Sequence, residues 1–139
     1  MLEGAWTLTR TISHADGAEH RFDGTAVFRW DVSGLIQDEE GVLSATDGRP
    51  GLRATRRYLW REDKKTVDIL FEDGRRFHSI PLGVDRPEAV HECPPDTYRV
   101  AYDFGDPAAW TARWHVSGPR KDYVMKSRYR RAPGASAAG

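Results

Sequence analysis

The chain has 139 residues, one cysteine, and 21 basic against 21 acidic side chains, so its net charge is zero. That length fits one domain, the balanced charge is not that of a general nucleic-acid binder, and an apolar fraction of 39% supports a core and excludes wholesale disorder. A lone Cys93 rules out an internal disulfide framework and fits a reducing compartment. With no signal-peptide pattern at the start and no apolar run near the ~20 residues of a membrane span, a cytoplasmic domain with neither membrane nor nucleic-acid partner is expected.

Aromatic and β-branched residues alternate with polar ones along most of the chain, and turn signals recur at short intervals: Asp16-Gly17, Asp73-Gly74, Gly105-Asp106-Pro107 and Gly118-Pro119. This pattern predicts the short strands of an all-β sandwich or barrel. Strands are expected near 4–13, 21–31, 35–46 (with Gly41 a candidate break), 52–61, 66–72, 75–80, 88–93, 97–104, 110–117 and 122–131. The tail 132–139 is made of Ala, Pro, Gly and Ser and is expected to be disordered, leaving 1–131 as the domain.

Register sharpens the expectation, because opposed residues of an antiparallel pair share a face. A turn at Gly118–Lys121 sets Val116 opposite Tyr123, Trp114 opposite Met125, Ala112 opposite Ser127 and Trp110 opposite Tyr129. Pairing Phe104 with Trp110 adds Tyr98, Val100 and Tyr102 to that apolar face, while Arg113, Lys126, Arg128 and Arg130 face water. In the first hairpin, Trp6 opposite Phe28 brings Leu8, Ala26, Arg10, Ile12 and Phe22 to one side. A two-residue type I′ turn at Asp73-Gly74 pairs Phe71 with Arg76 and Ile69 with His78, which turns His78 inward and Phe77 outward. A long meander with one dry face curls to cover it, and closure also removes exposed edges.

Gly4-Ala5-Trp6 on the first strand, ahead of a meander that ends in basic residues, resembles the lipocalin and fatty-acid-binding (calycin) superfamily. The resemblance implies that Trp6 packs at the closed end of a barrel beneath a basic side chain of the last strand, with Arg128, Arg130 or Arg131 in that role. More of the chain is similar to an uncharacterised bacterial family of unknown function with a lipocalin-like barrel. The matching stretches are Arg56-Arg57-Tyr58-Leu59-Trp60, Asp73-Gly74-Arg75-Arg76-Phe77-His78, His91-Glu92-Cys93-Pro94-Pro95-Asp96-Thr97-Tyr98, Trp110, Trp114-His115-Val116 and Gly118-Pro119-Arg120-Lys121-Asp122-Tyr123. These resemblances imply an antiparallel up-and-down lipocalin-like β-barrel of about 8–10 strands. They also imply small-ligand binding, and transfer no activity.

The inward-facing polar residues are the functional candidates. A buried His78 needs hydrogen-bond partners, and serves either as a satisfied core residue or as a ligand contact or acid/base. His91 and Cys93, two apart, share a strand face; with His78 they would make a two-His, one-Cys metal site, but no fourth ligand has a supporting spacing. Tyr98, Tyr102, Tyr123 and Tyr129 fall on the inner face with Trp110 and Trp114. Such a surface suits a ligand with an aromatic or apolar body and a few polar groups, unless the side chains fill the barrel solid. Arg56 has the parity of Tyr58 and Trp60 and projects inward as a cation in need of a partner.

Charge is segregated as well. Residues 113–131 carry seven Lys/Arg and one acid, and within them Arg120 and Lys121 sit on a turn at a barrel end, placed to hold a carboxylate or phosphate. No Gly-rich phosphate loop, nucleophile elbow or zincin motif is present. The reading is a small-molecule-binding barrel without cofactor, its site made of Arg56, Tyr58, His78, His91, Tyr98, Tyr102, Trp114, Arg120, Lys121 and Tyr123. Its rivals are an enzyme on the same barrel with His78 or His91 as acid/base, a haem or metal carrier on those histidines, and a filled interaction domain.

Overall fold

The structure, a computed structural model, describes residues 2–132. The expected disorder of the tail falls on residues 133–139, outside the described residues, and on Ala132, whose amide bonds to the Ala5 carbonyl. Ten strands follow one another: β1 (Gly4–His14), β2 (Glu19–Asp31), β3 (Gly34–Ala45), β4 (Leu52–Asp63), β5 (Thr66–Phe71), β6 (Arg76–Pro81), β7 (Glu88–Cys93), β8 (Asp96–Asp106), β9 (Ala109–Ser117) and β10 (Asp122–Arg131). They form one antiparallel sheet in the order β6-β5-β4-β3-β2-β1-β10-β9-β8-β7. Every neighbour in this order is also a neighbour in sequence except β1 and β10, whose ladder joins the two ends of the chain. The sheet rolls up until its end strands β6 and β7 lie side by side, an up-and-down, nearly closed barrel.

Alternation explains which side chains enter. In β1 Trp6 and Leu8 are buried while Thr7 is exposed, and in β2 Phe22, Ala26 and Phe28 are buried between exposed neighbours. Because the strands alternate in direction, Trp6, Phe28, Trp60 and Trp110 gather at one end and close it. Trp110 and Phe28 meet at 5.9 Å, and Trp6 and Trp110 at 6.0 Å, in tilted or edge-on contacts. Aromatic pairs favour such arrangements over face-to-face stacking. Arg131 lies across this end, its guanidinium 4.0 Å from the Trp6 ring centre, which selects it over Arg128 and Arg130 as the basic cover.

The β9–β10 register is the expected one. Three others differ. In β1–β2, Trp6 opposes Ala26 rather than Phe28, a slip of two residues that leaves every side chain on its expected face because the period of a strand is two. The β8–β9 ladder follows the expected register to Asp103↔Thr111, then shifts so that Asp106 meets Ala109, so Phe104 does not pair with Trp110. In β5–β6 the two-residue turn is replaced by a longer one: the Phe71 amide bonds to the Arg75 carbonyl, the Gly74 amide bonds to the Phe71 carbonyl, and Gly74 has φ +89°. This is a type I turn closed by a left-handed glycine. It shifts the ladder so that Arg76 meets Leu70 while His78 still meets Ile69. Gly41 does not break β3; it pairs with Gly24 in an unbroken ladder.

Candidate functional site

Away from the tryptophan-packed end, the barrel encloses a cavity of about 460 Å³. Nine of the ten residues singled out from sequence line it: Arg56, Tyr58, His78, His91, Tyr98, Tyr102, Trp114, Lys121 and Tyr123. Arg120 does not; it is exposed on the β9–β10 turn, off the cavity.

The shifted β5–β6 ladder builds the cavity's main wall. One extra residue in β6 sends the adjacent side chains of Phe77 and His78 to the same side, the usual consequence of a β-bulge. Phe77 therefore faces inward, against expectation. It lies parallel to Trp114 at 4.9 Å and 6°, and stacks on Phe71 at 4.5 Å. His91 meets its edge at 5.2 Å, so the wall is a slab of four rings.

His78 sits behind this slab, 4% exposed, with Nε2 2.7 Å from the Tyr102 hydroxyl. Burial, and then the nearby His91, lower its pKa to about 3, so the ring is neutral at physiological pH. Burial also holds the Tyr102 phenol well above its ordinary range, so it keeps its proton. Two buried polar atoms of the lining have no hydrogen-bond partner, His78 Nδ1 and Trp110 Nε1.

Deeper in lies a polar floor that the sequence reading missed. Arg10 donates to both carboxylate oxygens of Glu39, each at 3.1 Å, and through Nε to Ser127 Oγ at 2.7 Å. Glu39 also accepts from the Tyr129 hydroxyl at 2.7 Å and from Gln37 Nε2 at 2.8 Å, while Gln37 Oε1 accepts from Trp60 Nε1 at 2.8 Å. Burial, then Glu39, hold the Tyr129 phenol far above its ordinary range. Sequence parity contained part of this: Arg10 shares a face with Trp6 and Leu8, and Gln37 and Glu39 share one with Leu35 and Leu43. A carboxylate at Glu39 was the signal to seek a buried partner for Arg10.

At the mouth, Lys121 Nζ donates to the Tyr98 hydroxyl at 3.1 Å and pairs with Asp96 at 3.3 Å, and these two partners hold its pKa above the ordinary lysine value. Burial raises the pKa of Tyr58, against the opposing pull of Arg56 beside it. Cys93 is exposed at the rim. His78 Nε2 is committed to Tyr102, and among the described residues no cluster of three His, Cys, Asp or Glu is arranged for a metal ion, so His78, His91 and Cys93 do not converge as ligands. The lining can therefore stack rings, donate hydrogen bonds at depth and offer cations at the rim.

Among solved structures, the barrel is similar to the S-type phycobiliprotein lyase CPES from Guillardia theta, with a TM-score of 0.68 over 95% of this chain and 89% of that one, at 8% identity. It also matches two designed proteins over 94% of its length. One is the redesigned β-barrel mFAP1 bound to DFHBI (TM-score 0.43, 15% identity, 94% of that chain). The other is a fluorescence-activating β-barrel designed de novo (TM-score 0.44, 16% identity, 93% of that chain). At 8% identity the likeness to the lyase is one of fold. No curated protein matches the sequence. Residues 2–131 match a family described as being of unknown function, DUF6314, and the chain belongs to that family.

Proposed function

We propose that the barrel binds one small organic molecule with an apolar, ring-bearing body in its lumen. The cavity carries this reading. A barrel of this size can be filled by its own side chains, yet about 460 Å³ stays open among Phe71, Phe77, Trp114 and Tyr98. That volume lies within the ~300–1,000 Å³ of small-molecule sites, and well above the ~150 Å³ apolar cavity that holds benzene. Binding is favoured over proton-transfer chemistry at His78. A general acid or base works best with a pKa near the working pH, whereas burial lowers that of His78 to about 3.

The test is a titration with N-phenyl-1-naphthylamine, an apolar aromatic dye that brightens when it leaves water. Saturable one-to-one binding is expected, with energy transfer from the tryptophans. Ala54→Trp, which places a bulky ring on the half-buried cavity wall, should abolish it. No saturable binding to the native chain, or binding indifferent to Ala54→Trp, would overturn the reading. Native mass spectrometry of protein purified from its own cells would then weigh the natural ligand.

A further inference from the structure

The charges of the lining do not cancel. Arg10 and Glu39 neutralise each other, and Lys121 is neutralised by Asp96. Arg56 is left over. Its ladder partner is Glu39, which is already engaged by Arg10, Tyr129 and Gln37. The other carboxylates beside Arg56, in a shallow depression on the outside of the wall, are matched elsewhere: Asp38 and Glu72 by Arg57, Glu40 by Arg53. Among the described residues, no carboxylate forms an ion pair with Arg56. The lumen thus carries one surplus positive charge, at its mouth.

The two unpartnered polar atoms at depth share one character, and both are sealed from the lumen. Tyr102 keeps its proton, and its hydroxyl lies 2.7 Å from His78 Nε2. A buried hydroxyl hydrogen needs an acceptor, so Nε2 accepts and the neutral ring carries its hydrogen on Nδ1. The unpartnered Nδ1 is then a donor, and the unpartnered Trp110 Nε1 is a donor by its chemistry. Phe77 and Trp114 of the ring slab pack edge-on against the His78 ring at 4.7 and 5.1 Å, so the surface offered to a ligand is the slab.

We propose that the lumen is built for a monoanionic aromatic molecule: its anionic group meets Arg56 and its rings lie along the Phe77 slab. This rests on the lumen-binding reading and names the ligand class. A cationic ligand would leave the Arg56 charge unmatched.

The test compares two dyes with one ring skeleton, 1-anilinonaphthalene-8-sulfonate and the neutral N-phenyl-1-naphthylamine, at pH 8, where free histidine is uncharged. Arg56 is exposed at the mouth rather than buried, and an exposed ion pair contributes ~0.2–1 kcal/mol, so Arg56→Gln should lower the ratio of sulfonate to neutral affinity by about two- to fivefold. Arg120→Gln, on an exposed residue off the cavity, should leave the ratio unchanged. If the neutral dye binds but the ratio ignores Arg56→Gln, the ligand class is wrong and the lumen reading stands. If neither dye binds, both fall.

Discussion

Arg10 and Glu39 face each other inside the barrel, two guanidinium nitrogens against two carboxylate oxygens at 3.1 Å. The Glu39 side chain is 1% exposed and that of Arg10 15%. Desolvating both ions cancels much of their attraction, so the pair is weak evidence for stability, but a single survivor would be an uncompensated buried charge. Arg10→Met and Glu39→Met should each cost about 3–5 kcal/mol in urea unfolding. The double variant Arg10→Met/Glu39→Met should cost far less than the two together. Additive losses would show that the pair is not coupled.

The strands are legible in the sequence because a half-buried strand repeats every two residues, and that signal survives small errors. The β1–β2 slip shows it: the expected register is off by two, yet Arg10 and Phe22 stay on the inner face. What defeats the signal is a change of one. The extra residue in β6 reverses parity within the strand, so alternation assigns His78 correctly but sends Phe77, centre of the cavity wall, to solvent. No local motif announces a bulge that depends on whether the chain at Asp73-Gly74 turns in two residues or three. The Arg10–Glu39 pair is hidden for another reason. Its members are joined across β2, which lies between β1 and β3, and no hairpin arithmetic fixes β3. Arg120 and Lys121 are adjacent and equally basic, so composition does not tell that Lys121 lines the mouth and Arg120 does not.

Trp6 is 1% exposed, donates its indole hydrogen to the Leu2 carbonyl at 2.8 Å and lies under Arg131. Trp6→Ala removes a large core side chain at the closed end and should cost about 3–5 kcal/mol. Arg131→Ala removes the cation over the ring and should cost about 1 kcal/mol or more. Chemical denaturation measures both. A Trp6→Ala variant as stable as the parent would show that this end does not depend on its tryptophan plug.

Gly24 and Gly41 oppose each other where β2 and β3 approach closely. A Cβ on Gly24 would lie 2.6 Å from the Gly41 Cα and closer still to the Glu40 carbonyl oxygen, both backbone atoms that cannot swing away. Overpacking a rigid site costs about 1–3 kcal/mol or more. Gly24→Ala should reach the top of that range, while Gly48→Asn, in an open turn whose left-handed backbone (φ +83°) asparagine tolerates, should cost much less. Equal effects at the two positions would refute the close-approach argument.

His78 should make the barrel acid-sensitive over a defined window. Its folded pKa is about 3, lowered by burial and then by His91 from an ordinary 6.5. Above ~6.5 the ring is neutral folded or unfolded and contributes no pH dependence. As pH falls below that, the unfolded chain takes up a proton that the folded chain refuses, so stability drops by up to ~1.4 kcal/mol per pH unit until the folded ring also protonates. By pH 5 the loss from this one group should be about 2 kcal/mol. Carboxylates titrate as well, but they do so alike in native protein and in His78→Gln, so the difference between the two isolates the imidazole. Urea unfolding at pH 7.5 and pH 5 should therefore show native protein losing about 2 kcal/mol more than His78→Gln over that interval. The variant starts from a lower stability because its bond to Tyr102 is impaired, which shifts its curve without changing the slope in question. Parallel curves would mean that the His78 ring protonates in the folded barrel near its free value, and hence that the site is wetter than its 4% exposure implies.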